Sequence, residues 1–223
     1  MRSKNIFMPW LFLYSVSACV WLSACSGNES IAPVVIPPGE DIGTSSSSEA
    51  KAELISTLTD ARDGQTYRTV VIGSQTWMAE NLNRGENSKK YGGFYTWARA
   101  MEVCPEGWHL PDTTEWSILI KTVGGEAVAG TMLKSTEGWY NKADGTSGNG
   151  SDYFGFSALP AGYGYKSTYG TGSSHQGDYA LFWTSTESDG SYAYYVNLIY
   201  SYDYGEMESG YKDQAFSVRC IKD

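Results

Sequence analysis

The thiol of Cys25 is the group in this chain whose type and position most specifically predict a chemical modification. Arg2 and Lys4 form a positive start, an apolar stretch covers residues 7–22, and small residues lead into the cysteine. This order is typical of an exported bacterial protein whose leader is cleaved, and a cysteine directly after the cleavage box is an acceptor for diacylglycerol. We therefore predict a lipoprotein signal peptide over residues 1–24 and a lipid on Cys25. The simpler alternative is an ordinary cleaved leader.

Cleavage at this point leaves a strongly acidic mature chain. The full sequence carries 16 basic and 25 acidic residues, and losing Arg2 and Lys4 moves its formal net charge from −9 to −11. Such a surface argues against nucleic acid as a partner. The apolar stretch contains Pro9 and falls short of the ~20 residues of a membrane-spanning helix. We predict that this is a bacterial cell-envelope protein and that its lipid anchors it to a membrane. The outer membrane is favoured, and exposure on its periplasmic or its outer side is left open.

Two cysteines remain once the leader is removed and Cys25 is acylated, namely Cys104 and Cys220. An even pair of thiols in an oxidising compartment predicts a disulfide bond. Closing so long a loop would stabilise the fold by about 4–5 kcal/mol in chain-entropy terms. The alternatives, a reactive thiolate or a metal site, lack support because His109 and His175 stand in unrelated sequence contexts.

Acidic side chains late in the chain raise the question of hydrolysis. A pair of carboxylates at a fixed separation can cleave a glycosidic bond. No spacing here fixes a separation, and acidic residues in Gly-, Ser- and Tyr-rich segments are usually solvated loop positions. We predict no enzymatic activity and no cofactor, and we keep a carbohydrate-active enzyme as the weakest alternative. The carboxylates concerned are Glu187, Asp189, Asp203, Glu206 and Glu208.

A loop rich in Gly, Asn and Asp follows residue 140 and offers hard oxygen ligands. Calcium is coordinated by about 6–8 such oxygens. The alternative is a turn-forming loop, since Asn and Asp side chains commonly bond their own backbone in turns. We favour the turn-forming loop and predict no bound metal. The weak calcium candidates are Asn141, Asp144, Asn149 and Asp152.

Tyrosines crowd the end of the chain, where seven fall between positions 192 and 211. They are interleaved with Ser, Asn, Asp and Gly, a mixture that binding surfaces use because it combines rigid amphipathic rings with adaptable hydrogen bonding. If Tyr194, Val196 and Leu198 face the core, Tyr195 and Asn197 point outward. The alternative is that these rings fill a tyrosine-rich core. The candidate ligand-binding residues are Tyr195, Asn197, Tyr200, Tyr202, Asp203, Tyr204 and Tyr211.

Periodicity and turn residues predict the elements that position these groups. Asp112 caps a helix in which Glu115 completes a capping box and apolar residues recur at helical spacing. Gly124 and Gly125 end that helix. Strands are predicted from Val, Ile and aromatic enrichment. Further helices are predicted over 95–103 and 126–134, a loop over 141–151, and strands over 66–72, 75–80, 181–184, 192–200 and 215–221.

The segment that follows the lipidated cysteine has the composition of a tether. Residues 26–52 contain no aromatic residue, three prolines and a run of four serines. They cannot bury enough apolar surface to offset the entropy of ordering. We predict a flexible tether over residues 25–58, with a helical turn or two within residues 49–58, and a single domain over residues 59–223.

Six blocks of this domain resemble one family. The chain is similar to the Fibrobacter succinogenes major paralogous domain family over nearly all of residues 60–223, and the blocks occur in the same order. That family is similar in turn to the C-type lectin-like fold and to formylglycine-generating sulfatase-modifying proteins. The blocks are DARDGQTYRTVVIGSQTWMAENLN (60–83), YGGFYTWARAM (91–101), CPEGWHLPDTTEW (104–116), GFSALPAGYGY (155–165), FWTSTE (182–187) and FSVRCIKD (216–223).

The resemblance implies an α+β domain of C-type lectin-like fold, with two to three helices, a twisted antiparallel sheet and a loop-rich face formed late in the chain. Helices clustered early and strands clustered late favour α+β independently. Many relatives carry a cysteine-bearing insertion that residues 84–90 replace here. The chain also lacks the EPN, QPD and WND triplets of sugar-binding lectins and the late cysteine pair of the formylglycine-generating enzymes. No biochemical activity is assigned to this family, so the resemblance implies none for this chain.

Two kinds of function remain open after these considerations. One is a membrane-anchored recognition domain that binds a glycan or a surface protein through its Tyr-rich late segment. The other is a structural lipoprotein that decorates the envelope without a specific ligand.

Overall fold

The computed structural model describes residues 55–84, 90–167 and 170–223. The leader, Cys25 and most of the tether lie outside these residues, so their assignment stays a prediction. The helices are α1 (Trp97–Val103), α2 (Thr113–Thr122) and α3 (Glu126–Leu133). The strands are β1 (Ile55–Thr59), β2 (Thr66–Ile72), β3 (Gln75–Met78), β4 (Trp108–His109), β5 (Tyr163–Ser167), β6 (Gly170–Ser174), β7 (Tyr179–Glu187), β8 (Tyr192–Ile199), β9 (Gly205–Tyr211) and β10 (Ile221–Lys222).

A five-stranded antiparallel sheet joins the early and late parts of the domain. Its strand order is β1-β2-β3-β10-β4. Ile221 of β10 lies opposite Trp77 on one side and opposite His109 on the other. The chain between β4 and β10 therefore leaves this sheet and returns to it, and that excursion contains α2, α3 and the late strands.

The excursion builds a second, three-stranded sheet of order β7-β8-β9 and a separate β5-β6 hairpin, all antiparallel. The residue before β5 ties the hairpin to the sheet, because the Gly162 amide donates to the Tyr179 carbonyl at 2.7 Å. The fold is thus α+β, as the sequence predicts.

Helix α2 begins where its capping residues predict. The Asp112 carboxylate accepts a hydrogen bond from the Glu115 amide at 2.8 Å, and the Glu115 carboxylate accepts one from the Asp112 amide at 2.8 Å. Two backbone donors that the helix cannot satisfy are paired in this way. Trp116 and Leu119 on its buried face pack into the core.

The core consists of two clusters that cover opposite faces of the three-stranded sheet. Phe182 and Val196 pack with α2, α3 and Trp77 in the first cluster. Leu181 and Trp183, which alternate with them along the sheet, pack with α1 and the C-terminal segment in the second. Because neighbouring residues of a strand point to opposite faces, this sheet is buried on both sides along much of its length.

Two features hold the C-terminal segment in place. Cys104 and Cys220 form a disulfide bond across a sequence separation of 116 residues, which confirms the predicted pairing. The guanidinium of Arg219 is fully buried, and four of its hydrogen bonds reach Asn81, Met78, Phe156 and Ser157.

The predicted helices and strands are correct where the local sequence pattern is strong. They are wrong where pairing with a distant strand determines the conformation. The bounds of β2 are as predicted, and the three predicted helices are present. Residues 55–58, expected in a helical turn, instead form β1 because they pair with β2. The predicted strand over 215–221 reduces to isolated bridges followed by β10. Strands β4, β5, β6 and β9 are not predicted from the sequence.

Candidate ligand-binding face

Three segments far apart in sequence meet at one end of the second sheet. The Tyr140 amide donates to the Gly177 carbonyl at 3.0 Å, and the Tyr200 amide donates to the Asp178 carbonyl at 2.9 Å. The rings of Tyr140 and Tyr200 meet edge to face, with centroids 6.3 Å apart. We call this surface the loop face and define it as residues 138–150, 173–178 and 199–204.

Close backbone approach holds the loop face together and requires glycine at Gly148. A Cβ atom there would lie 2.2 Å from the Tyr140 carbonyl oxygen and 2.6 Å from that of Tyr200. These separations are far below van der Waals contact, so any side chain would force the two segments apart.

A groove of about 450 Å³ opens on the loop face. On one side stands the ring of Tyr140, which is 58% exposed. This volume falls in the range of small-ligand sites, which combine apolar surface with a few polar groups that fix orientation. The groove is lined by Tyr140, Ser173, Ser174, His175, Gln176 and Asp178.

The wall of the groove around His175 is backed by two tyrosines. The imidazole stacks on Tyr163 with ring centroids 5.1 Å apart, and its centroid lies 5.7 Å from that of Tyr179. Its Nδ1 lies 2.9 Å from the hydroxyl of Ser174. His175 has a φ of 61°, in the left-handed region that non-glycine residues seldom adopt. Such backbone strain is typical of binding sites, where surrounding structure must maintain it.

A buried lysine supports the turn between β8 and β9. The ammonium of Lys134 donates to the carbonyls of Tyr202 at 2.8 Å and Ile199 at 3.1 Å. It also lies 5.2 Å from the ring centroid of Trp139. Burial lowers the pKa of Lys134 to about 8, against the opposing attraction of Asp203. The Lys134 ammonium therefore helps to fix the conformation of the turn that carries Tyr200, Tyr202 and Tyr204.

The same turn presents a stacked pair of tyrosines and an ion pair. The rings of Tyr202 and Tyr204 lie 4.7 Å apart at an angle of 18°. The Asp203 carboxylate accepts hydrogen bonds from Lys142 at 2.8 Å and from Thr131 at 3.1 Å. The bond from Lys142 is the main reason that the pKa of Asp203 lies below its ordinary value.

The predicted ligand-binding residues divide among three places. Tyr200, Tyr202, Asp203 and Tyr204 lie together on the loop face. The Tyr211 ring packs against that of Tyr192 at a tilt of 34°, with centroids 4.3 Å apart, at the other end of the β8-β9 hairpin. That end is about 25 Å away, since β8 rises ~3.4 Å per residue. Tyr195 and Asn197 lie within the sheet between these ends.

The expectation that Tyr195 and Asn197 point outward is wrong. Asn197 is only 6% exposed. Tyr195 is half-buried against Trp183 and Phe216, and its hydroxyl donates to Glu208 at 2.5 Å. Val196 and Leu198 do face the first core cluster. The expectation assumed that the other face of β8 met solvent, whereas the second core cluster covers much of it.

Side-chain oxygens of three of the four weak calcium candidates accept hydrogen bonds from nearby residues. The Asp144 carboxylate accepts from the amide and hydroxyl of Thr146, and the Asn149 side-chain oxygen accepts from the Trp139 amide. Asp152 lies beyond the loop face and accepts two hydrogen bonds from Ser157. Asn141 forms an isolated bridge with Ser147. These contacts support the turn-forming interpretation. Over residues 55–84, 90–167 and 170–223, no group of three or more His, Cys, Asp or Glu side chains could hold a metal ion.

The late carboxylates also have separate local partners. Glu187 pairs with Lys212 at 2.5 Å, and Asp189 accepts hydrogen bonds from the amides of Ser191 and Tyr192. Glu206 and Glu208 lie side by side on β9. Asp203 belongs to the loop face.

Sequence reasoning missed Tyr140, His175 and Lys134. Tyr140 stands outside the tyrosine cluster, and it reaches His175 only through backbone bonds between residues 140 and 177. The polar run of residues 173–178 carries a turn signal, a glycine among short polar side chains. The turn signal alone does not reveal that Tyr140 lies across the groove from this turn.

Comparison with known families identifies the domain. A family model described as the Fibrobacter succinogenes major domain matches residues 83–222. The chain belongs to this family. The family match begins after β3, yet β3 pairs with β10 inside it, so the folded domain includes early strands that the match leaves out.

Neither a curated protein nor a solved structure matches this member of the family. None of the helices in the described part of the chain is long and apolar enough to cross a membrane.

Proposed function

We propose that this protein is a non-catalytic recognition lipoprotein of the cell envelope, which binds a glycan through the groove of the loop face. The groove between Tyr140 and His175 is the observation that carries this proposal. The predicted lipid on Cys25 would anchor the chain, the predicted tether would follow it, and the domain would carry the groove.

The chemistry of the groove suits a sugar better than a flat protein surface. The exposed ring of Tyr140 offers an apolar face on which the C–H edges of a sugar ring can stack. The side chains of Gln176, Asp178 and Ser173 offer hydrogen-bond donors and acceptors for hydroxyl groups. Because the mature chain is strongly acidic, a neutral glycan is favoured over an anionic one.

We also propose that the domain adopts a variant of the C-type lectin-like fold. Two observations that the sequence resemblance leads us to expect support this: the domain combines three helices with antiparallel sheets, and much of its loop-rich face forms late in the chain. The pairing of the last strand with early strands is a further supporting observation.

The ligand-binding prediction is tested with the full chain on a panel of insoluble and immobilised neutral polysaccharides. We expect at least one to retain the wild-type protein. Tyr140→Ala should weaken that retention about fivefold or more, since an anchoring aromatic residue contributes upward of ~1 kcal/mol. Its thermal midpoint should stay nearly unchanged, because the exposed ring contributes little to stability.

Tyr153→Ala provides the matched control. Tyr153 is 70% exposed and does not line the groove, so this variant should bind like the wild type. Equal losses in the two variants, or no retention of the wild type by any polysaccharide, would favour the structural lipoprotein without a specific ligand.

The lipid anchor gives a separate prediction. Cys25→Ala should remove the acyl acceptor, leaving a soluble or unprocessed protein and no signal in the membrane fraction. Fractionation followed by mass analysis of the mature N-terminus measures this. A wild-type protein that is fully soluble and cleaved elsewhere would contradict it.

A further inference from the structure

A pair of glutamates on β9 shares one face of the sheet with two polar residues of β8. Glu206 lies opposite Asn197, and Glu208 lies opposite Tyr195. The Glu208 carboxylate accepts hydrogen bonds from the Tyr195 hydroxyl at 2.5 Å and from Asn197 Nδ2 at 3.2 Å. Residues two apart on a strand point the same way, so the two carboxylates are neighbours.

These neighbouring carboxylates place two like charges in half-buried positions. Glu206 and Glu208 are both partly shielded from solvent, and like charges repel more strongly where water screens them less. A cation bound between them relieves that repulsion.

The amide of Asn197 adds an independent indication of a ligand. Asn197 is 6% exposed, and its Oδ1 atom is buried without a hydrogen-bond partner among the described residues. A buried oxygen that is left unpaired destabilises the folded state. The other atom of the same amide, Nδ2, donates to Glu208, so this unpaired oxygen borders the carboxylate pair.

We propose that Asn197, Glu206 and Glu208 bind a calcium ion. All three supply hard oxygen atoms and none supplies nitrogen or sulfur, which suits Ca²⁺ rather than a transition metal. Calcium accepts irregular geometry and completes its shell with water, whereas Mg²⁺ requires a near-ideal octahedron. With two carboxylates in the shell, the affinity belongs in the range of about 0.1–1 mM that is typical of extracellular modules. This site is independent of the proposed glycan groove.

The test measures the thermal midpoint of the full chain, purified from membranes in a neutral detergent, in EDTA and in 10 mM CaCl₂. The wild type should gain about 3–10 °C with calcium and clearly less with MgCl₂. Glu206→Gln should lose the gain, because the neutral amide removes a charged ligand. Its midpoint in EDTA should stay within about 1 °C of that of the wild type, since glutamine keeps the size of the side chain and leaves the hydrogen bonds of Glu208 in place.

Two further variants identify the site. Asn197→Leu, which removes the unpaired oxygen, should also lose the calcium gain. Asp144→Asn alters the sequence-predicted calcium loop and should keep the full gain. No calcium effect in the wild type, an undiminished effect in Glu206→Gln, or loss of the effect in Asp144→Asn alone would overturn the proposal. If Asn197→Leu does not fold, Glu206→Gln and Asp144→Asn still decide the outcome.

Discussion

Replacing Arg219 with methionine should lower the free energy of unfolding by roughly 3–5 kcal/mol. The guanidinium donates to the Asn81 side chain at 2.6 Å and to the backbone carbonyls of Phe156 at 2.5 Å and Ser157 at 2.8 Å. A further bond reaches the Met78 carbonyl at 3.1 Å. One side chain thus joins the end of β3 to the segment that precedes the hairpin.

None of the ion pairs among the described residues includes Arg219. Asp152 and Glu80 attract its charge from farther away. Carbonyl dipoles surround it, and the rings of Phe156 and Phe182 lie 4.7 and 5.5 Å from its central carbon. Burial lowers the pKa of Arg219 to about 9. Methionine would avoid the cost of burying this charge. It would also leave three carbonyls and one amide oxygen unpaired, and that loss is the larger.

Urea unfolding of the wild type and the variant measures this effect. Arg219→Lys provides the matched comparison, because its ammonium has three donors but not the planar fork that reaches all four acceptors. We expect its stability to lie between those of the wild type and Arg219→Met. A loss below 1 kcal/mol for Arg219→Met would mean that the network contributes little.

Removing the disulfide should have the second-largest effect. Cys104→Ser or Cys220→Ser should lower stability by roughly 2–5 kcal/mol, because the bond closes a loop across 116 residues and restricts the unfolded chain. The bond also connects the end of α1 to the residue before β10. That strand alone links β3 to β4, so its loosening would open the five-stranded sheet.

The double variant distinguishes the stability that the disulfide bond contributes from the stability that the packing of each cysteine side chain contributes. If the bond itself stabilises the fold, Cys104→Ser, Cys220→Ser and the double variant should unfold at similar urea concentrations, and reduced wild type should match them. Additive losses in the double variant would instead assign the effect to the packing of each sulfur.

Local sequence signals predicted those parts of the fold that depend on local interactions. The capping box at Asp112 places the start of α2, and the composition of residues 66–72 places β2. The segment that became β1 carries no such signal, because pairing with β2 decides its conformation. Strand β9 was missed for the same reason, since its Gly, Glu and Ser residues are poor strand formers that β8 holds in register.

The candidate site shows the same division between local and tertiary information. The tyrosine cluster pointed to the turn of residues 199–204, which does lie on the loop face. The cluster did not indicate that Tyr211 lies at the far end of the hairpin or that Asn197 is buried. The groove was hidden because Tyr140 and His175 come together only through the folded backbone.

Hydrogen exchange of the full chain, measured with and without a saturating neutral oligosaccharide from the polysaccharide that retains it, tests the central claim most directly. If the loop face is the binding surface, bound sugar should slow exchange of amides in residues 173–178 and 138–150, while amides near Tyr192 and Tyr211 stay unchanged. Protection confined to the Tyr192–Tyr211 end, or an unaltered loop face at saturation, would contradict the proposal that the groove binds the ligand.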